Sequence, residues 1–315
     1  MKALRIVFMG TPEFALASLG SLMQSQHRVV GVVTAPDKPA GRGRKIRYSA
    51  IKEFALSKEL PLLQPVKLRD PDFIQALKNL EADLFVIVAF RMLPEIVWAM
   101  PSKGTINLHA SLLPDYRGAA PINWVIINGE VESGVTTFFI NEHIDTGAIL
   151  LQERIKIDIK DSAGDLHDKL MVLGAHVLKK TVDLIATGEA EAVPQDDNAM
   201  QHKAPKLNPE NCRIDWSEDA MSIYNHIRGL SPYPGAWCEM CNGDTVSHLK
   251  IYQSAYELAD HKLDPGRLIK SGKALKVAVS DGYISLLEIQ LPGKRKLAIE
   301  QLIHGLRLEP EANLR

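Results

Sequence analysis

The sequence predicts an α/β domain built on a parallel sheet, followed by a smaller β domain. Three observations predict it. Through residue 189, short apolar runs at 4–8, 29–33 and 84–90 alternate with stretches of helical spacing, as in a parallel sheet covered on both faces. From Pro232 onward, short apolar runs are punctuated by turn signals at Asn242-Gly243, Asp264-Pro265-Gly266, Ser271-Gly272 and Asp281-Gly282, which suits a small, partly open antiparallel barrel of OB type. At 315 residues the chain has about twice the usual length of one domain. Between the two textures lies a polar stretch with few large apolar side chains. The expected division is a domain at 1–189, a linker at 190–208 and a β-barrel domain at 209–315.

The run at 4–8 reads as a strand, Gly10-Thr11-Pro12-Glu13 as a turn, and Phe14, Leu16, Leu19 and Leu22 as one face of a helix with Thr11 as its cap. This opening is Rossmann-like. A dinucleotide fingerprint needs a second glycine where Pro12 stands, and a proline there removes an amide donor and obstructs the pyrophosphate, so a nicotinamide enzyme is disfavoured. After the strand at 29–33 comes a loop in which Lys38, Arg42, Arg44, Lys45 and Arg47 cluster among glycines and prolines, and no regular structure is expected there. The formal net charge is −1, so any contact with nucleic acid must be local. A flexible cationic loop of this kind suits docking on phosphates. Helices are expected at 51–58 and 71–80, with turns at Pro61 and Pro65.

The stretch 105–109 carries the chemistry. On a strand, Ile106 and Leu108 point to one face, and Asn107 and His109 to the other. Asn107 brings an amide donor and acceptor, and His109 a group that titrates near neutrality, a pair suited to carbonyl chemistry. Pro114 and Gly118 bracket a turn, and Ala119-Ala120-Pro121 starts a helix. The polar pair therefore sits at the C-terminal end of a strand, where open α/β sheets bind ligands. An Asn or a His alone on a strand is more often a satisfied polar residue; the turn, the helix start and the later Asp145-Thr146-Gly147 set this pair apart.

Strands follow at 135–140 and 149–159, with His143 between them as a surface residue. A long helix over 161–188 turns Leu166, Leu170, Leu173, Val177, Leu178, Val182 and Ile185 to the core. Asp215-Trp216-Ser217 is expected to cap a helix carrying Ile223, Ile227 and Leu230, and Lys294-Arg295-Lys296 to form a solvated turn.

Composition is that of an ordinary globular protein, 46% apolar and 24% charged, with no apolar run long enough to span a bilayer and an N-terminus too short for a signal peptide. A cytoplasmic protein is expected. Three cysteines, an odd number, argue against a disulfide framework. Cys238 and Cys241 match half of a zinc or redox motif, but on a strand they point to opposite faces.

Asn107-x-His109, then Ser111-Leu112-Leu113-Pro114, Arg117-Gly118-Ala119-x-Pro121 and Asp145-Thr146-Gly147, resembles the signature of the folate-dependent formyltransferase family. Gly10-Thr11-Pro12-Glu13-Phe14-Ala15 and the basic loop at 36–45 resemble in particular its members that act on methionyl-tRNA, and the likeness covers nearly the whole chain. The resemblance implies 10-formyltetrahydrofolate as co-substrate, aminoacylated initiator tRNA as acceptor, a monomer, and no metal. It implies that Asn107 and His109 stabilise an oxyanion while Asp145 orients His109 and relays a proton. Ser111, Leu112, Leu113 and Pro114 would shape the pterin and formyl pocket through backbone groups. Lys38, Arg42, Arg44, Lys45 and Lys206 would contact tRNA, together with the C-terminal domain. The sequence departs from the family pattern twice: Phe90-Arg91 stands where many relatives carry Tyr-Gly and one more residue, and His202-Lys203-Ala204-Pro205-Lys206 keeps a lysine but lacks the family's tyrosine. Rival expectations are a formyltransferase for an amino-sugar nucleotide, a 10-formyltetrahydrofolate hydrolase, or a non-enzymatic RNA-binding protein. The basic loop argues against the first two, and Asn107, His109 and Asp145 against the third.

Overall fold

The computed structural model describes residues 2–40 and 45–315. In chain order, its first elements are β1 (Arg5–Gly10), α1 (Phe14–Met23), β2 (Arg28–Val33), β3 (Lys38–Ala40), β4 (Lys45–Arg47), α2 (Ala50–Ser57), β5 (Leu62–Leu63) and α3 (Pro71–Asn79). There follow β6 (Leu84–Val88), α4 (Glu95–Trp98), β7 (Thr105–His109), β8 (Arg117–Gly118), α5 (Pro121–Ile127), β9 (Glu132–Phe139), β10 (Ile149–Lys156) and α6 (Ala163–Thr187). The remainder is β11 (Lys203–Ala204), α7 (Ala220–Gly229), β12 (Ala236–Asn242), β13 (Thr245–Leu258), β14 (Leu268–Ser271), β15 (Ala274–Val279), β16 (Gly282–Gln290), β17 (Leu297–Ala298), α8 (Ile299–Leu302) and β18 (Asn313–Leu314). The chain forms two compact units. One comprises the residues up to Gly118, Glu132–Ile155 and His167–Lys203; the other comprises Ala119–Val131, Lys156–Leu166 and Ala204–Arg315. The stretch 190–203, expected as linker, is thus grouped with the first unit.

Among the described residues the first unit holds a seven-stranded sheet in the order β10-β9-β7-β6-β1-β2-β5. From β5 through β2, β1 and β6 to β7 the strands are parallel, whereas β9 runs antiparallel to β7. Both faces of its central strands are buried. Val7 and Met9 of β1 pack with Phe85 and Ile87 of β6 against Phe73, Ile74 and Leu77 of α3 and Val97 of α4. Ile6 and Phe8 point the other way, also fully buried, and Leu108 on the corresponding face of β7 lies against Gly174 of α6. Continuous apolar runs are what a sheet with two covered faces requires.

Two local expectations are corrected here. Helix α1 opens through a tight turn, with Ala15 N–H donating to Pro12 O at 3.1 Å and Leu16 N–H to Glu13 O at 2.8 Å, so Glu13 precedes the helix and no side chain, Thr11 included, caps it. The flanks of the basic loop are regular: β3 and β4 pair antiparallel with Lys38 opposite Arg47 and Ala40 opposite Lys45. Backbone pairing overrides the low strand propensity of Pro39 because proline is tolerated in a short two-stranded edge. Arg42 and Arg44 lie outside the described residues.

The second unit carries an antiparallel sheet in the order β14-β15-β16-β13-β12-β18, with β17 on β16. It is nearly closed: Leu314 N–H reaches Gly266 O at 2.8 Å and Leu268 N–H reaches Ala312 O at 3.1 Å, joining the last strand to the start of β14. Gly266, at φ +85° and with Leu314 O only 2.2 Å from where a Cβ would lie, permits that closure. Helix α7 packs Ile223 and Ile227 into the barrel core with Leu249, Ile251, Val277, Ile284 and Leu286. Its cap is Asp219, whose carboxylate accepts Ser222 N–H at 2.8 Å and Ser222 Oγ–H at 2.7 Å. Asp215, the expected cap, instead closes the preceding turn on Ser217 N–H at 2.9 Å. Both aspartates precede a serine at workable spacing, and which one caps depends on where the chain turns into the helix.

Candidate active site

Strand β7 delivers Asn107 and His109 to one end of the first unit's sheet. Asn107 is half-buried, aligned between Ile87 of β6 and Phe138 of β9, and His109, opposite Thr136 of β9, is 6% exposed. Ile106 and Leu108 are buried on the other face, so the alternation expected of this strand is realised.

His109 Nε2 lies 2.9 Å from Tyr116 O. A carbonyl only accepts, so Nε2 carries the proton and Nδ1 is the free position. Nδ1 faces Asp145 Oδ2 at 3.8 Å, beyond hydrogen-bond length. The Tyr116 carbonyl anchors the imidazole at Nε2, and the Asp145 carboxylate faces its other nitrogen. A proton taken up at Nδ1 is placed opposite the Asp145 carboxylate. Tyr116 itself sits at φ +59°, with its N–H bonded to His202 O at 2.9 Å and its ring stacked on His202 at 5.4 Å. Nothing in the side chain of Tyr116 announces this task, because the group that performs it is a backbone carbonyl.

Asp145 is held at φ +55°, a left-handed conformation that costs a non-glycine residue about 1 kcal/mol. Its Oδ2 accepts Gly118 N–H at 3.0 Å. Gly147 makes the loop possible, since a Cβ there would fall 1.6 Å from Phe139 O. Thr146 Oγ1 donates to Asn141 Oδ1 at 3.0 Å, and His143 is exposed, as expected.

The segment 111–114 is tied internally. Thr136 Oγ1 donates to Ser111 O at 2.7 Å and accepts Leu113 N–H at 3.1 Å, Gln152 Nε2 donates to Leu113 O at 2.7 Å, and Ser111 Oγ donates to Asp115 O at 2.7 Å. Ser111 and Leu113 are buried, while Leu112 and Pro114 are partly exposed. Several backbone groups of this segment are thus bonded to Thr136 and Gln152, so it is held as a rigid turn. Thr136 and Gln152 escaped the sequence reading because β9 and β10 look like ordinary strands.

Arg91, one of the two departures, donates from Nη1 to Val66 O at 3.0 Å and from Nη2 to Pro65 O, tying the loop after β6 to the loop after β5. Burial lowers the pKa of its guanidinium. Lys38 is exposed on β3, and β4 begins at Lys45. Lys206 is exposed in the second unit, and its carbonyl accepts Asn211 Nδ2–H at 3.1 Å. Cys238 and Cys241 lie on β12, Cys238 fully buried with its thiol pushed up to about 12 by burial and Cys241 half-buried on the opposite face. Among the described residues no group of His, Cys, Asp and Glu is placed to hold a metal, and no helix is long and apolar enough to cross a membrane.

Two family models match the chain, formyl transferase over residues 4–182 and formyl transferase, C-terminal domain, over residues 206–307. Among curated relatives, a methionyl-tRNA formyltransferase from Flavobacterium psychrophilum is 54% identical, covering 97% of each chain. One from Flavobacterium johnsoniae is 51% identical over 100% of both, and one from Bacteroides fragilis 52% identical over 97% of this chain and 96% of that one. Among solved structures, HypX from Aquifex aeolicus in complex with tetrahydrofolic acid is similar at a TM-score of 0.64 and 18% identity, over 96% of this chain and 47% of that one. An N-formyltransferase from Helicobacter canadensis with folinic acid and dTDP-3-aminofucose is similar at 0.63 and 20% identity, over 90% and 98%. These two share the fold. With both models matched in order along the chain, and half of its residues identical to full-length relatives, this protein belongs to the formyl transferase family.

Proposed function

We propose that this protein transfers the formyl group of 10-formyltetrahydrofolate to the free amino group of methionyl-tRNA, the charged initiator of translation. The grouping of Asn107, His109 and Asp145 at the end of β7 carries the reading, and the name of its full-length relatives supplies the acceptor. Attack of the amine on the formyl carbon places negative charge on the formyl oxygen, which the Asn107 amide stabilises by donation. Asp145 accepts the proton that the amine loses as the new C–N bond forms. His109, held at Nε2 by Tyr116 O, presents Nδ1 as the position through which a proton is passed to the departing folate nitrogen as its bond to the formyl carbon breaks. Residues 111–114 form a firm wall of the pterin and formyl pocket. On the acceptor side, Lys38, Arg42, Arg44, Lys45 and Lys206 and the barrel of the second unit meet the phosphates of the tRNA, a local electrostatic contact on a chain whose overall charge is nearly neutral. We assign the protein to the cytoplasm, acting as a monomer.

The test is transfer of a labelled formyl group from 10-formyltetrahydrofolate, with methionyl-tRNA, uncharged tRNA, free methionine and an amino-sugar nucleotide as parallel acceptors. Formylation of methionyl-tRNA alone supports the reading. Formylation of the sugar, or release of formate without an acceptor, refutes it.

A further inference from the structure

The polar stretch after α6 reads in the sequence as linker, yet one of its side chains reaches the loop that carries Asp145. We infer that Gln195 is a positioning residue for Asp145 in formyl transfer, an inference that rests on the role given to Asp145 above. Val193 and Ile149 exchange both backbone hydrogen bonds, at 2.7 and 2.8 Å, which lays this stretch beside the start of β10. Two residues on, Gln195 Oε1 accepts from Arg117 Nε at 3.1 Å and from Arg117 Nη2 at 2.6 Å. A guanidinium has no acceptor, so the atom facing it must be the amide oxygen, and the orientation of the amide is decided by chemistry. Nε2 consequently faces the loop, donating to Asp145 O at 2.9 Å and to Gly147 O at 2.7 Å.

The two carbonyls flank Thr146, so a single amide bridges the turn as a paired strand would. At the same time Gly118 N–H, adjacent to Arg117, holds the Asp145 carboxylate at 3.0 Å. Asp145 is thus gripped at its main chain by Gln195 and at its side chain by the residue after Arg117. Arg117 is in turn steadied by Asp197 at 2.7 Å, in the same stretch as Gln195. A left-handed aspartate with this many restraints is a residue whose direction matters, because a carboxylate that must meet a proton at one place gains from losing its freedom beforehand. No motif of the family signature includes residue 195.

The experiment measures kcat and KM for 10-formyltetrahydrofolate and for methionyl-tRNA in Gln195→Met, which removes donor and acceptor at similar length, and in Gln195→Glu. The latter keeps an acceptor for Arg117 but turns an oxygen toward two carbonyls. Each is made in the wild-type and in the Asp145→Asn background, with melting temperatures recorded. The expected result is a loss of at least about tenfold in kcat for both variants, both KM values within about threefold, and less than about twofold further loss in the Asp145→Asn background, because Gln195 acts through Asp145. Unchanged kcat in Gln195→Met overturns the inference. So does a loss of equal size in the Asp145→Asn background, which would mark a general structural effect. Failure of the wild-type protein to transfer formyl to any acceptor refutes the functional reading itself, and is told apart by that measurement alone.

Discussion

In Gly147→Ala a single methyl group must enter space already held by backbone. The added Cβ would lie 1.6 Å from Phe139 O. Carbon and carbonyl oxygen approach no closer than about 3.3 Å in ordinary contacts, so the two must part by roughly 1.7 Å. Phe139 ends β9, where its residue pairs with Ile106 of β7, so the sheet is the stiffer partner and the loop yields. Asp145, two residues before the new methyl, moves with the loop, and its carbonyl and that of Gly147 leave Gln195 together. Misplacement of a reacting group by about 1 Å can cost about a hundredfold, so kcat for formyl transfer should fall by about that factor, with KM values changed only a few-fold. Gly20→Ala in α1 is the control, for nothing lies within 4 Å of its Cβ. It should retain full activity and gain about 0.5–1 kcal/mol, since alanine replaces glycine in a helix. A Gly147→Ala enzyme with kcat within about threefold of wild type would refute the claim that this loop is built around the direction of Asp145.

Other outcomes follow from the same contacts. Asn107→Ala should lower turnover by about a hundredfold to a thousandfold if its amide faces the developing oxyanion, read in single-turnover formyl transfer; intact turnover removes Asn107 from the mechanism. Thr136→Val, nearly isosteric, strips the partner from Ser111 O and Leu113 N–H in a buried site, and should cost on the order of 3 kcal/mol in denaturant unfolding. Asp219→Ala removes the cap of α7 and should cost about 1 kcal/mol at neutral pH. Bonds from the backbone and side chain of Ser222 hold the Asp219 carboxyl below its ordinary range, so its contribution is present above the unfolded value and is lost as pH falls through the folded one. Urea titrations at pH 7 and at pH 3 should therefore show the gap between wild type and variant closing in acid.

Periodicity made the frame legible. Alternation with period two in residues 105–109 was enough to put Asn107 and His109 on one face, because strand geometry allows nothing else. Asp145-Thr146-Gly147 was legible as a motif, and the glycine's reason became visible in the distance to Phe139 O. Caps were less legible. Asp215 and Asp219 both offer a carboxylate before a serine, and α1 starts without any side-chain cap, because a helix start is chosen by the path of the chain as well as by the best capping residue. The hairpin of β3 and β4 was hidden for a similar reason: proline lowers the strand propensity of the segment, and only the pairing across the turn restores it.

The sequence by itself determined the order of a parallel-sheet domain and a barrel domain, the strand that places Asn107 and His109 on one face, and the family to which these residues belong. Only the tertiary structure decided that the Tyr116 carbonyl holds the His109 ring, that Thr136 and Gln152 stiffen residues 111–114, and that Gln195 holds the Asp145 loop. The reason is the same each time. These contacts run through backbone carbonyls and amides, which every residue possesses, and which carbonyl meets which donor depends on the path of the chain, whether it turns back over seven residues from His109 to Tyr116 or brings Gln195 to Gly147 across 48.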